Sequence, residues 1–66
     1  MKVREVIENT EKNYECIEIR DFNTLFDIIA STGRNESIEK YLDSEVRFHR
    51  NIKIHFKDFR ILQIFF

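Results

Sequence analysis

The stretch RFHRNIKIHFKDFRILQIFF, residues 47–66, decides how the rest of the chain must be arranged. Its first part alternates apolar and polar residues, as a β-strand with one buried face does. The apolar positions are Ile52, Ile54 and Phe56, and the polar positions between them are Lys53, His55 and Lys57. A tight turn at residues 57–60 leads into a second strand, residues 61–66. The resulting hairpin presents an apolar sheet face that the preceding residues must cover.

Residues 3–12 predict an amphipathic helix that can supply part of this cover. Apolar side chains recur there at helical spacing, with glutamates on the other side. Glu8 and Lys12 are spaced for a helical ion pair. Asn13 suits the left-handed conformation common at helix C-termini, so we place the end of the helix there.

A first hairpin follows this helix. Residues 14–20 are rich in strand-forming side chains. Residues 21–24 supply Asp and Asn for a turn, and residues 25–31 then return as a second strand. The pattern of residues 25–30 also fits a buried helical turn.

A second helix is predicted beyond Gly33, the only glycine of the chain. Asn35 or Ser37 can cap this helix, which ends near Ser44, and glutamates in its first turn suit the positive end of a helix dipole. Its apolar side consists of Ile38, Tyr41, Leu42 and Val46.

These elements predict one compact α+β domain, residues 1–66, in the order helix-strand-strand-helix-strand-strand. Two short helices against an antiparallel sheet of about four strands bury all the apolar faces at once. A domain this short buries only about 60% of the surface that its unfolded chain exposes. A partner or a second copy would therefore add stability.

The cysteine content and the hydropathy pattern indicate where the protein resides. Cys16 is the only cysteine, so it cannot form a disulfide within the chain, and this fits a reducing compartment. Charges interrupt the apolar residues at the start of the chain, unlike in a signal peptide. No apolar run approaches the roughly 20 residues of a membrane span. We predict a cytoplasmic protein.

Charge divides the chain into two candidate binding surfaces. Residues 1–45 contain six basic and eleven acidic side chains, a net charge of −5, whereas residues 46–66 carry +4. Such an asymmetry can mark an interaction surface, or two elements that attract each other within the fold. The acidic candidates are Glu5, Glu8, Glu11, Glu36, Glu39 and Asp43. The basic candidates are Arg47, Arg50, Lys53, Lys57 and Arg60.

Nothing in the residue pattern indicates catalysis, a cofactor or a metal site. In one continuous strand His49 and His55 would stand roughly 20 Å apart, six residues at about 3.3 Å each, too far to share an ion. Cys16 follows Glu15 in a predicted strand, where an acidic neighbour disfavours a thiolate, so we expect a buried small hydrophobe. We expect a non-enzymatic protein without a cofactor or a metal.

The basic segment is interleaved with aromatic residues, Phe48 and Phe59 among them. Proteins that bind single-stranded nucleic acid combine cations for the phosphates with rings for the bases. With Lys53, His55 and Lys57 pointing outward, the strand would carry a positive stripe. An isoelectric point near 6 and the acidic helices weaken attraction to a polyanion.

The final strand, residues 61–66, is apolar on both faces. Such a strand is an aggregation hazard unless it is central in a sheet or paired with another chain. The pattern predicts a homodimer or a docked partner protein, with burial between neighbouring strands of the same chain as the alternative.

The chain resembles a loosely defined set of small phage and mobile-element proteins of Firmicutes. The similarity rests on an opening MKVRE helix, a strand like IEIRD at residues 17–21, the segment YLDSEV at residues 41–46 and a final hairpin. This chain departs from the set at residues 47–57, which are basic where an acidic or neutral hairpin is more usual. The resemblance implies binding as the mode of action, because compact phage proteins include inhibitors of bacterial defence systems, such as anti-CRISPR proteins.

The leading hypothesis is a stoichiometric inhibitor that docks on a host protein, such as the nuclease effector of a CRISPR system, in the bacterial cytosol. Its acidic residues would mimic nucleic-acid phosphates and occupy a basic channel. The alternative is a small nucleic-acid-binding regulator that uses the basic, aromatic C-terminal hairpin.

Overall fold

A four-stranded mixed sheet carries the fold in the computed structural model, which describes residues 1–24, 27–54 and 58–66. The α-helix of these residues is α1, Val3–Asn9. The strands are β1, Cys16–Arg20; β2, Ile28–Ser31; β3, Phe48–Lys53; and β4, Arg60–Phe65. Two short 3-10 turns, Thr32–Arg34 and Glu39–Tyr41, lie between β2 and β3. The α+β class is confirmed.

Both predicted hairpins form. β1 pairs antiparallel with β2, and β3 pairs antiparallel with β4. Residues 28–31 are therefore in a strand, so a helical turn over residues 25–30 is wrong; Leu25 and Phe26 lie outside the described residues. The later strand begins at Phe48, earlier than the alternation at residues 52–57 indicates. Of that alternating stretch, His55, Phe56 and Lys57 also lie outside the described residues.

The strand order is β2-β1-β4-β3, and its central pair, β1 and β4, is parallel. The prediction of an antiparallel sheet is therefore wrong for its centre. The reason is the connection at residues 32–47, which crosses from one edge strand to the other. A crossover of this length lets the second hairpin enter with β4 running in the direction of β1.

The first helix ends at Asn9, three residues before Lys12, the last residue of the predicted helical range. Thr10 has extended backbone angles, and its hydroxyl donates a hydrogen bond to the carbonyl of Val6. A threonine that bonds its own backbone in this way competes with continuation of the helix. Lys12 and Asn13 therefore lie beyond α1, so the helical spacing predicted for a Glu8–Lys12 pair is lost.

The second predicted helix is replaced by the turn Glu39–Tyr41. Asn35 adopts a left-handed conformation, with φ 61°, and ends the preceding turn at Thr32–Arg34. The segment also provides acceptors for α1: the carbonyls of Leu42 and Ser44 accept hydrogen bonds from the amides of Arg4 and Val3 at 2.9 and 3.0 Å. These amides of the first helical turn have no partner within their own helix.

The main core lies between α1 and one side of the sheet, which we call the helix-covered face. Val3 and Val6 of α1 pack there against four sheet residues, which are Ile19, Ala30, Leu62 and Ile64. Residues Ile38, Tyr41, Leu42 and Val46 pack around this cluster. The apolar side predicted for that segment thus contacts the core, although no α-helix presents it.

β4 is a central strand of the sheet. It lies between β1 and β3, and residues 61–65 are all buried. The structure therefore shows the alternative of burial between neighbouring strands. The homodimer stays a prediction, now without support from an exposed C-terminal strand.

Candidate functional site on the second face of the sheet

The side of the sheet opposite α1, which we call the second face, carries a row of polar residues across its strands. Alternation along β4 turns Gln63 away from the face of Leu62 and Ile64. Strand register places Arg50 of β3 beside Gln63, Gln63 beside Glu18, and Glu18 beside Ser31. We call these four residues the polar row.

Hydrogen bonds connect three members of the polar row, Arg50, Gln63 and Glu18, and each bond is donated toward Glu18. Arg50 Nε donates to Gln63 Oε1 at 2.7 Å, and Gln63 Nε2 donates to Glu18 Oε1 at 2.9 Å. Arg20 Nε donates to the same Glu18 oxygen at 2.9 Å. A guanidinium only donates and a carboxylate only accepts. The Gln63 amide, which is 3% exposed, therefore has one favourable orientation, with its oxygen toward Arg50.

A buried charge stands at the centre of this arrangement. Glu18 is 8% exposed, and Arg20 Nη2 lies 2.9 Å from its Oε1. Desolvating a carboxylate is costly unless it is paired and hydrogen-bonded. Arg20 and Gln63 supply those partners, so the Glu18 carboxylate is satisfied and orients the amide that holds Arg50.

A cavity of about 300 Å³ opens beside Arg50, lined by Phe22, Phe48, Arg50 and Phe65. The Phe48 and Phe65 ring centroids are 5.4 Å apart, and the Arg50 guanidinium carbon lies 5.6 Å from the Phe65 centroid. Phe22 is 38% and Phe48 43% exposed, whereas Phe65 is buried. The cavity therefore combines a buried ring, two accessible rings and a cation.

Backbone hydrogen bonds hold the parts of this cavity together. The Phe22 amide donates to the Phe66 carbonyl at 3.0 Å, and the Arg47 amide donates to the Phe65 carbonyl at 2.9 Å. The loop after β1 and the residue before β3 are thereby attached to the end of β4. The Arg47 guanidinium carbon lies 5.7 Å from the centre of the Phe22 ring, so a second cation stands at the cavity.

The structure brings two of the five predicted basic residues, Arg47 and Arg50, to this cavity. Lys53 is paired with Arg60 in the β3–β4 register and lies three residues from Arg50, on the other side of the sheet. Its ammonium contacts Asp58 at 3.1 Å. Arg50 and Lys53 therefore lie on different faces of the sheet. The predicted stripe of Lys53, His55 and Lys57 stays a prediction, because His55 and Lys57 lie outside the described residues. Ile54, expected in the core, is 38% exposed.

The six acidic candidates fall into two groups. Three hold local structure: Glu5 accepts from the Lys2 amide, Asp43 accepts from Arg4 Nε, and Glu36 accepts from the Ser31 amide. The other three, Glu8, Glu11 and Glu39, are exposed. These three have no ion pair with the part of the chain that the structure describes.

The cysteine and the histidines offer no arrangement for chemistry in the described residues. No group of three metal-binding side chains forms within residues 1–24, 27–54 and 58–66. Cys16 is buried, as expected. Burial, with the negative charges of Glu18 and Glu15, raises the pKa of the Cys16 thiol above its ordinary value of 9.0, which disfavours the nucleophilic thiolate.

Sequence reasoning missed Phe22, Phe65 and the buried members of the polar row. One signal was available. Gln63 is the only polar residue in the run ILQIFF, and Glu18 interrupts CIEIR in the same way. A polar residue inside each of two buried strands indicates that the strands are neighbours in the sheet with these two residues side by side, because buried polar groups need partners.

No helix among the described residues is both long and apolar enough to cross a membrane. Comparison of the chain with protein-family models, with curated proteins and with solved structures found no match.

Proposed function

We propose that this chain is a non-enzymatic module that binds single-stranded nucleic acid through the second face of its sheet. The supporting observation is the cavity in which Arg50 meets the exposed rings of Phe22 and Phe48. Modules of this kind place cations near phosphates and aromatic rings beneath bases. Arg47, positioned over Phe22, adds a second cation at the same place.

The accessible rings favour single strands over duplexes. A base can pack on Phe22 or Phe48 only when it has left its own stack, which costs less in an unpaired strand than in a duplex because no base pair has to be broken. Duplex recognition instead places a helix or a ribbon in a groove. The only α-helix of the described residues, α1, covers the other face of the sheet.

The charges of the site predict a modest salt dependence. Glu18 offsets Arg20, which leaves Arg47 and Arg50 as the cations that line or flank the cavity. The net charge of the whole chain is −1, so long-range attraction contributes little. Two phosphate contacts on a single strand predict a slope of log affinity against log salt of about −1.4.

The test is the anisotropy of a labelled single-stranded oligonucleotide, titrated with wild-type protein and with two matched variants. Arg50→Ala and Lys53→Ala each remove one cation from β3, but only Arg50 lies at the cavity. We expect Arg50→Ala to weaken binding about tenfold or more and Lys53→Ala to weaken it much less. Absence of binding, or equal losses in both variants, would contradict the proposal. Circular dichroism confirms that both variants fold.

A second candidate function, the stoichiometric inhibitor of a host defence protein, is supported by the exposed carboxylates of Glu8, Glu11 and Glu39. Surface charges that have no ion pair among the described residues are available for a basic partner, such as the channel of a nuclease effector, and would accelerate its association. Capture of tagged protein from a bacterial lysate, with and without nuclease, separates the two functions. A protein partner that resists nuclease and is lost on reversing these three charges supports the inhibitor.

A further inference from the structure

The bonding of Arg50 leaves part of its guanidinium for a ligand. Its Nε donates to Gln63, and a guanidinium has four further N–H donors on its two Nη atoms. These donors form a planar fork that matches a phosphate. Since Arg50 also lines the cavity, the fork and the aromatic rings are available to one bound molecule.

Gln63 and Glu18 restrict the orientation of that fork. The Gln63 oxygen accepts from Arg50 because its amide nitrogen is committed to the Glu18 carboxylate. Both residues are buried, so water does not compete readily for the bond between them, and this keeps the Gln63 oxygen directed at Arg50. A long flexible side chain is thereby held beside the cavity before any ligand arrives, which lowers the entropy lost on binding.

The size and chemistry of the cavity identify the class of occupant. A volume of about 300 Å³ is at the lower end of the range for small-molecule sites. The described residues that line it are three aromatic side chains and one cation. The complementary molecule is a small planar ring with an attached anion, which is the chemistry of one nucleotide.

We propose that this cavity is a subsite for a single nucleotide. The base packs against Phe48 and Phe22, and the phosphate accepts hydrogen bonds from the Nη groups of Arg50. Gln63 acts as a positioning residue for that contact. This inference rests on the proposed function and goes beyond it, because it requires a nucleotide without a strand to bind at the same place.

The test uses adenosine 5′-monophosphate and adenosine as probes in a nuclear magnetic resonance titration of the full chain. We expect the nucleotide to shift the signals of Phe22, Phe48 and Phe65 and to bind at least about tenfold more tightly than adenosine, since only the nucleotide offers a phosphate to Arg50. Arg50→Ala should reduce this ratio toward one. Equal binding of the two probes, or shifts confined to other residues, would overturn the subsite.

The positioning role has its own readout. Gln63→Leu removes the acceptor of Arg50 Nε and keeps the side chain similar in size. We expect the ratio of nucleotide to adenosine affinity to fall several-fold, whereas a merely structural change would weaken both probes alike. An unchanged ratio would show that Arg50 binds without Gln63.

An oligonucleotide in the same titration separates the two proposals. If it binds while the mononucleotide leaves the cavity signals unchanged, the subsite is wrong and the proposed function stands. If neither molecule shifts any signal, both are wrong.

Discussion

Leu62 and Gln63 are neighbours in β4 and are almost equally buried, at 1% and 3% exposure, but the two faces they serve differ in chemistry. Leu62 joins the helix-covered face, where it belongs to an apolar cluster with Val3 and Val6 of α1. Gln63 joins the polar row of the second face, between Arg50 and Glu18.

The difference shows how one strand can contribute both to stability and to the orientation of a surface cation. Burial of apolar side chains is non-directional and stabilises roughly in proportion to area. Buried polar groups contribute little net stability, but each bond has a required direction. The helix-covered face therefore stabilises the fold, and the second face orients Arg50 at the cavity. Substitutions on the two faces should separate these effects.

The largest effect on stability is expected from Ile64→Ala on the helix-covered face. Ile64 is fully buried among Ile19, Leu62 and the helix, so truncation leaves a cavity and should lower the free energy of unfolding by about 2–5 kcal/mol. Urea denaturation followed by circular dichroism measures the change. The milder Ile64→Val is the control and should cost about 0.5–1.5 kcal/mol. Equal losses in both variants would mean that this face is not tightly packed.

A smaller loss is expected from Gln63→Leu on the second face. Two hydrogen bonds to charged groups disappear, but the added hydrocarbon offsets part of the loss, leaving about 1–2 kcal/mol of destabilisation. The same urea assay applies. A loss as large as that of Ile64→Ala would show that the polar row, and not only the hydrocarbon face, determines stability.

Arg50 and Lys53 allow the two faces of the sheet to be compared with two cations of the same strand, β3. Arg50 donates to a buried amide oxygen, whereas Lys53 contacts a fully accessible Asp58. Arg50→Ala should therefore lower the free energy of unfolding by about 1 kcal/mol, and Lys53→Ala by less, as exposed ion pairs contribute about 0–1 kcal/mol. Thermal denaturation of both variants at two salt concentrations measures this. A larger loss for Lys53→Ala than for Arg50→Ala would show that the hydrogen bond from Arg50 to Gln63 does not stabilise the fold.

The smallest effect concerns the pH dependence of Cys16. Its pKa is raised in the fold by burial and by Glu18 and Glu15, so the unfolded chain loses the thiol proton first as pH rises. Stability should be unaffected by this group below pH 9 and should fall between the unfolded and the folded pKa. In Cys16→Ala, the decrease in the free energy of unfolding that this thiol causes above about pH 9 disappears. Urea denaturation at several pH values measures this. An identical pH dependence of the free energy of unfolding in both proteins would contradict a raised pKa for Cys16 in the fold.

The sequence predicts the parts of this molecule that depend on local pattern. Alternation and turn chemistry place both hairpins, and the doubly apolar residues 61–66 predict a strand that is either paired with another chain or central in the sheet, of which the structure shows the second. The parallel pairing of β1 with β4 is not local: it depends on how residues 32–47 cross the sheet. The second helix fails because Asn35 takes a left-handed conformation and the following segment bonds to α1.

The sequence likewise predicts only the part of the candidate site that comes from one continuous segment. Arg47, Arg50 and Phe48 are adjacent in sequence and belong to the predicted basic, aromatic segment. Phe22 reaches the cavity only because its loop is bonded to the end of β4. The separation of Lys53 from Arg50 follows from strand alternation, once the start of β3 is known.

The central claim, that the second face is the ligand face, is tested most directly by photo-crosslinking. An oligonucleotide containing 5-iodouridine is irradiated with the wild-type protein, and the crosslinked peptides are identified by mass spectrometry. Stacking on exposed rings predicts crosslinks at Phe22 or Phe48. Crosslinks confined to residues 1–10 or 38–45, which include α1 and the turn that packs with it against the helix-covered face, would contradict the claim.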